Sequence, residues 1–304
     1  GLGNLIVGYN EDTSTGGTET RTGSHNLVVG DEHEYTSYGG LVIGYENTIT
    51  AAFAVVSGGY KNTASGWTSS VSGGHANTAS GNSSSVSGGQ GNTASGYSSY
   101  VSGGQGNTAS GSYSSISGGW DNTASGFSSS VSGGRYNTAS GRYSSVLGGG
   151  WDNPSLGNEA WADYSIVAGG RSNVAGDDSG TDRTVGEASA VLAGGSNRAE
   201  GDLAVVSGGS GNTASGDSSS VSGGYYNTAS EWYSSVSGGW SNTASGDYSS
   251  VSGGSDNTAS GNRSSVSGGV DNEANGENST IGGGANGTVS GGADWRAGSL
   301  FEDN

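Results

Sequence analysis

Residues 62–74 read Asn62-Thr63-Ala64-Ser65-Gly66-Trp67-Thr68-Ser69-Ser70-Val71-Ser72-Gly73-Gly74, and the pattern returns at Asn77 and again at Asn92. A Val or Ile followed by Ser-Gly-Gly stands at Val56, Val71, Val86, Val101, Ile116 and Val131, each 15 residues after the last. After an irregular stretch the beat resumes at Val206, Val221, Val236, Val251 and Val266, with Ile281 in step. Linkers do not keep register over so many units, so the repeat is architectural. Each unit has two halves, and along an extended chain alternate side chains face opposite sides. Asn62, Ala64 and Gly66 therefore share one side, as do Ser69, Val71 and Gly73, while Thr63, Ser65, Ser70 and Ser72 share the other. Glycines at the ends of the halves permit positive-φ corners that close a coil. The predicted fold is all-β: a parallel β-solenoid, or β-roll, of 15-residue coils with two short strands each.

Composition agrees with a repeat and argues against an ordinary globule. Glycine supplies 64 of 304 residues, apolar residues only 30%, proline one, and cysteine and methionine none. The glycine is not collagenous, and disulfides, thiolate metal sites and thiol catalysis are excluded. With 9 basic against 27 acidic residues the net charge is −18, which argues against nucleic acid as a partner. No apolar run reaches the length of a membrane span, so no membrane insertion is expected. Without an initiating methionine or a signal peptide, the chain reads as an excerpt of something longer. One Val and one Ala per coil make a thin core for so much ordered backbone. Self-association is therefore expected, as several chains side by side or joined end to end.

Five segments are expected. Residues 1–55 carry larger apolar groups, with Ile6, Val28 and Val42 at inward positions, and form a capping or joining segment of divergent coils. Residues 56–150 and 191–292 are regular coils. Residues 151–190 carry two insertions, Trp151 to Asp163 and Asp177 to Gly186, both near the midpoint, which would let them form one lateral protrusion. Residues 293–304 leave the pattern and form a cap or linker.

Stacked coils set each residue beside its counterpart in the next coil, about 4.8 Å away. Asn62, Asn77, Asn92, Asn107, Asn122 and Asn137 would form an inward amide ladder that satisfies buried polar groups. Large aromatics gather at the corners instead: Trp67, Tyr97, Trp120, Phe127, Tyr225 and Trp240. Such rings suit glycan stacking or lateral packing, or they simply cover backbone edges. Asp256 and Asp271 would stack as like charges, and Asp177, Asp178 and Asp182 form a loose acidic loop. Calcium is the one ion these carboxylates would take, against the plainer reading of a solvated acidic surface. No cofactor and no enzyme activity is expected. The serines lack a paired base, His25, His33 and His75 are scattered, and Asp31-Glu32-His33-Glu34 is a weak acid–base cluster.

The alternation of Asn-Thr-Ala-Ser-Gly with Ser-Ser-Val-Ser-Gly-Gly over residues 40–292 resembles the head repeats of trimeric autotransporter adhesins, the YadA-like or haemagglutinin-type repeats. Those repeats run slightly shorter than the beat here. The resemblance implies a left-handed roll, three chains about an axis, and display outside the cell for adhesion. On this reading the chain belongs to an extracellular fibre or biofilm component, with itself, glycans or extracellular surfaces as partners. The half-repeat is also similar to that of grass ice-binding proteins. That likeness implies ice recognition by the outward row Thr63, Thr78, Thr93, Thr108 and Thr123.

Overall fold

The repeat folds into parallel β-solenoid coils with two short strands each. The structure is a computed structural model that describes residues 3–8 and 20–297. Residues 1–2, 9–19 and 298–304 lie outside the described residues. The chain divides into two compact units, Gly1–Tyr143 and Ser144–Asn304.

In the first unit, Ser70–Val71 pairs with Ser85–Val86 and then Tyr100–Val101, counterpart beside counterpart. Thr63–Ala64, Thr78–Ala79 and Thr93–Ala94 form the second ladder in the same way. Strand alternation sets what is inside. Ala64, Val71, Ala79 and Val86 are fully buried, as are Asn62 and Ser69, whereas Thr63, Ser65 and Ser70 on the opposite side are half-buried. The polar interior is stable because each Asn, through its carboxamide and its backbone amide together, ties three coils. Asn77 Nδ2 donates to Gly73 O of its own corner at 3.0 Å and to Gly89 O of the following coil at 2.9 Å. Its Oδ1 accepts the amide of Asn92 at 2.9 Å, while its own amide donates to Asn62 Oδ1. The ladder predicted at Asn62 to Asn137 therefore closes the corners and welds coil to coil. The buried Ser row adds local bonds: Ser99 and Ser129 donate to Gly96 O and Gly126 O, and Ser69 accepts from Gly66 N.

The two glycine positions work differently from the simple corner expectation. The second glycine of each pair does sit at positive φ, as Gly74 at 89°. The single glycine does not. At Gly96 a Cβ would lie 2.0 Å from Gly111 O in the next coil, a crowding that coils with Ala51, Ala162 or Glu231 at this position must relieve by a local shift. The left-handed turn falls instead on the second residue after each glycine element, and it is usually not glycine: Ala76 at 54° and Ser83 at 56° are examples. Gly73, expected on the inner side, is half-buried, and a Cβ there would meet nothing within 4 Å.

Nearer the N-terminus the coils are shorter. Leu27–Asp31 pairs with Leu41–Tyr45 over five rungs, and Val42 pairs with Val56, both at an offset of 14. The longer coils gain one residue before the glycine corner, and the strand shrinks to two residues. His33 lies fully buried in this region, at the Asn position of its coil. Its Nδ1 accepts the Asn47 amide at 3.2 Å and its Nε2 meets Val29 O at 3.1 Å. The ring thus reproduces the bonds of the carboxamide it replaces. Val28 and Val42 are buried as expected, but Ile6 is exposed on the first described rung, Leu5–Val7.

In the second unit the ladders run on from Ser145–Val146 paired with Ile166–Val167. The insertions leave from different corners. Residues 151–157, with the 3-10 turn Pro154–Leu156, fall at the double-glycine corner before Asn158. The second insertion follows Gly176 at the other corner and comes to nine residues, because Ile166 pairs with Ala190 at an offset of 24 rather than 15. The single lateral protrusion is therefore not formed. The C-terminal break also comes later than expected: Trp295–Arg296 still pairs in register with Thr280–Ile281.

Candidate functional site: the corner rows

Corner side chains face solvent because the turn that closes each coil points them away from the Asn–Val interior. At the double-glycine corner of the first unit the register runs Tyr60, His75, Gln90, Gln105, Trp120, Arg135. Tyr45, Tyr60 and His75 stack nearly parallel, with centroids 5.4 and 5.1 Å apart. Farther along, the Arg135 guanidinium lies 4.6 Å from the Trp120 ring centre. At the single-glycine corner, Tyr97, Tyr113, Phe127 and Tyr143 form one edge-to-face chain with every step 5.5 Å. Trp67 stands on the same corner, exposed. The second unit has its own groups: Tyr233 and Tyr248 stack at 5.2 Å beside Trp232, and Tyr225 meets Tyr226 at 4.2 Å. Trp240 follows Tyr225 on the corner row. The six aromatics singled out in the sequence thus all lie on exposed corners, but they belong to different rows and units.

Sequence reasoning passed over the tyrosines that carry most of these contacts. Tyr113, Tyr136, Tyr143, Tyr226, Tyr233 and Tyr248 all sit at φ between 53° and 61°. A bulky side chain is unfavourable there by about 1 kcal/mol or more. Gly91, Gly106, Ser98 and Asn286 fill equivalent positions elsewhere. The signal that could have found them is that shared position, two residues past a glycine in every case but Tyr233, which follows Glu231.

The same geometry accounts for the recurring aspartates. Asp121, Asp256 and Asp271 occupy the left-handed corner position at φ 51° to 56°, which Asp tolerates better than most residues. Asp256 accepts a hydrogen bond from Ser255 Oγ. In the acidic loop, Asp177 turns back to Ser179 and Asp182 to Thr184, each accepting from a backbone amide and a hydroxyl. These bonds hold both carboxyls below the usual range. Asp178 pairs instead with Arg198, which also binds Glu200. Burial pulls the guanidinium toward neutrality, but the two carboxylates outweigh it and raise its pKa. The loop is thereby pinned over the Thr-side ladder, where half-buried Glu159 has its pKa pushed up by desolvation and then by Asp178. Among the described residues no three His, Cys, Asp or Glu side chains converge as metal ligands.

His33 has both ring nitrogens bonded to backbone groups inside the coil. Burial pushes its pKa below the ordinary value. Around it, Tyr45 donates to Glu32 at 3.1 Å and Lys61 pairs with Glu46 at 3.2 Å. Desolvation, then the bond to Glu32, push the Tyr45 phenol up to about 12. No described helix is long and apolar enough to cross a membrane. No protein-family model matches the chain, and no curated protein matches it. Function is therefore read from the residues themselves.

Proposed function

We propose that the chain is a structural and adhesive β-solenoid of an extracellular, cell-surface fibre or filament. It self-associates as a trimer or end to end, and its corner rings make the contacts. The carrying observation is tyrosine at the left-handed corner, where serine, glycine or asparagine would be easier to accommodate. Backbone strain of this kind persists where the side chain gains something in return. Here the gain is ring contact along and beyond the row. The 14-residue coils near the N-terminus add weight to the adhesin-head resemblance. Electron microscopy of the purified chain tests the reading. Trimeric rods or filaments are expected, weakened by the pair Tyr113→Ser and Tyr143→Ser. Isolated monomers for the wild type would overturn it.

One observation favours a second reading. Thr48, Thr63, Thr78, Thr93, Thr108, Thr123 and Thr138 stand in unbroken register on one side of the first unit, a flat hydroxyl–methyl ladder suited to ice. In the second unit Glu159, Val174 and Arg198 interrupt the equivalent row. Inhibition of ice recrystallisation that is lost in Thr93→Tyr would favour ice binding; its absence in the wild type would remove that reading.

A further inference from the structure

We propose that the cleft over Gly150, Gly195 and Ser210 in the second unit binds a carboxylated pyranose, a uronate or a sialate. Trp151 is the stacking platform and Arg171 the partner of the carboxylate. The proposal deepens the adhesive reading and rests on it, by naming a ligand class for one place on the corner rows.

The cleft exists because the double-glycine corner loses its side chains here. The row runs Arg171, Gly195, Ser210, Tyr225 in register. Two consecutive small residues leave a trough about 10 Å long along the stack. It opens to about 500 Å³, lined by Gly149, Gly150, Trp151, Gly170, Arg171, Gly194, Gly195 and Ser210, a size that suits a small ligand. The floor is backbone whose donors are already used. The amides of Arg171, Gly195 and Ser210 donate to Gly194, Gly209 and Gly224, each at 3.0 Å. Recognition therefore falls to the two large side chains.

Those two are arranged for an acidic ring. The Arg171 guanidinium lies 5.6 Å from the centre of the Trp151 ring. It also lies across Gly195, where an added Cβ would stand 3.4 Å from its Nε. Among the described residues no carboxylate lies within ion-pair distance of Arg171, although acidic residues outnumber basic ones three to one in the chain. Lys61, Arg198 and Arg263 each have such a partner. Arg171 thus offers planar paired donors, which suit a carboxylate, next to an exposed indole, which suits the apolar face of a sugar. A polyanion with dense charge, such as nucleic acid, is disfavoured by the net charge of −18. One carboxylate per ring is a far smaller penalty.

The test is calorimetric titration of the full chain with trigalacturonate, with sialyllactose and with neutral maltotriose. Binding of one or both acidic sugars is expected, weakening as salt rises, with no binding of maltotriose. The two acidic probes separate a uronate from a sialate. Arg171→Gln and Trp151→Ala should each weaken binding about tenfold or more, while Trp240→Ala, on the same row outside the cleft, should not. Arg171 is exposed, so unchanged thermal unfolding of Arg171→Gln is expected and separates lost binding from lost fold. The proposal is overturned if neither acidic sugar binds, if Arg171→Gln binds as tightly as wild type, or if maltotriose binds equally well. Fibres in the microscope without sugar binding would sink the cleft alone. The absence of both would sink the adhesive reading with it.

Discussion

Asn107→Ala is the substitution that most directly tests how the coils hold together. Asn107 Oδ1 accepts the Asn122 amide at 3.0 Å, and its Nδ2 donates to Gly103 O at 2.9 Å and Gly119 O at 3.0 Å. Gly119 O would keep a second donor, the Gln105 amide at 2.9 Å. The Asn122 amide and Gly103 O would be left without a partner. The buried Asn122 amide costs about 1–3 kcal/mol as an orphan and the half-buried Gly103 O less, so the change should destabilise by roughly 2–5 kcal/mol before any loss of packing. For a unit of this size that lowers the melting temperature by roughly 5–20 °C. Thr108→Ala, the outward neighbour, should stay within about 0.5 kcal/mol of wild type. Thermal melts give the total, and hydrogen exchange gives the location, because repeat coils depend mainly on their neighbours. Protection should fall first between Asn92 and Asn122. Asn107→Asp keeps the acceptor but buries a charge, so it should be worse at neutral pH and recover partly in acid. If Asn107→Ala melts with Thr108→Ala, the amide ladder is not what joins the coils.

Three other outcomes follow from individual contacts. Gly96→Ala should destabilise by at least about 2–3 kcal/mol, because its Cβ would meet Gly111 O at 2.0 Å. Gly103→Ala, which meets nothing within 4 Å, should melt at or slightly above wild type; equal damage at both would refute the steric account. Because burial lowers the His33 pKa from 6.5, the native chain binds fewer protons there than the unfolded one. Its contribution is complete above about pH 6.5 and fades as the pH falls toward the lowered native value. His33→Asn should flatten that acid loss in melts compared at about pH 5 and pH 7.5, and an unchanged slope would sink the assignment. Arg198→Ala should speed exchange across Asp177 to Gly186 about tenfold, and unaltered protection there would mean the ion pairs do not pin the loop.

How far the residues themselves told this story differs from place to place. Asn62 and its counterparts were legible because an amide on the inward side of a strand has few things it can do. The single glycine was assigned the wrong reason: steric contact with the next coil leaves no local trace, whereas positive φ is the usual reading of a glycine. The left-handed positions were hidden for the converse reason, since Ala76, Tyr113 and Arg263 do not look like turn residues. Only alignment of all coils, which sets them beside Gly91, Asp121 and Asn286, exposes the constraint. His33 escaped because the count was kept at 15. It follows Val28 by five residues as Asn47 follows Val42, and that match appears only once the shorter period is allowed. The different exits of the two insertions were written in the residues before them, a run of three glycines ahead of Trp151 and a lone one ahead of Asp177.

The interior and the corners answer different demands, and this division argues for where function lies. Inside, the chemistry barely changes from coil to coil: Asn, Ala, Ser and Val recur because each closes a bond or fills a fixed space. A row so constrained has no freedom to recognise anything. At the corners the fold demands only a left-handed residue and its neighbour, and tolerates Gly, Ser, Asp, Arg or Tyr there. Within that freedom the chain places tyrosines where the backbone least favours them, groups them into contiguous rows, and clears two rungs beside Trp151 and Arg171. Sequence variation that the fold does not require, made against local backbone preference, is best explained by contacts beyond the coil.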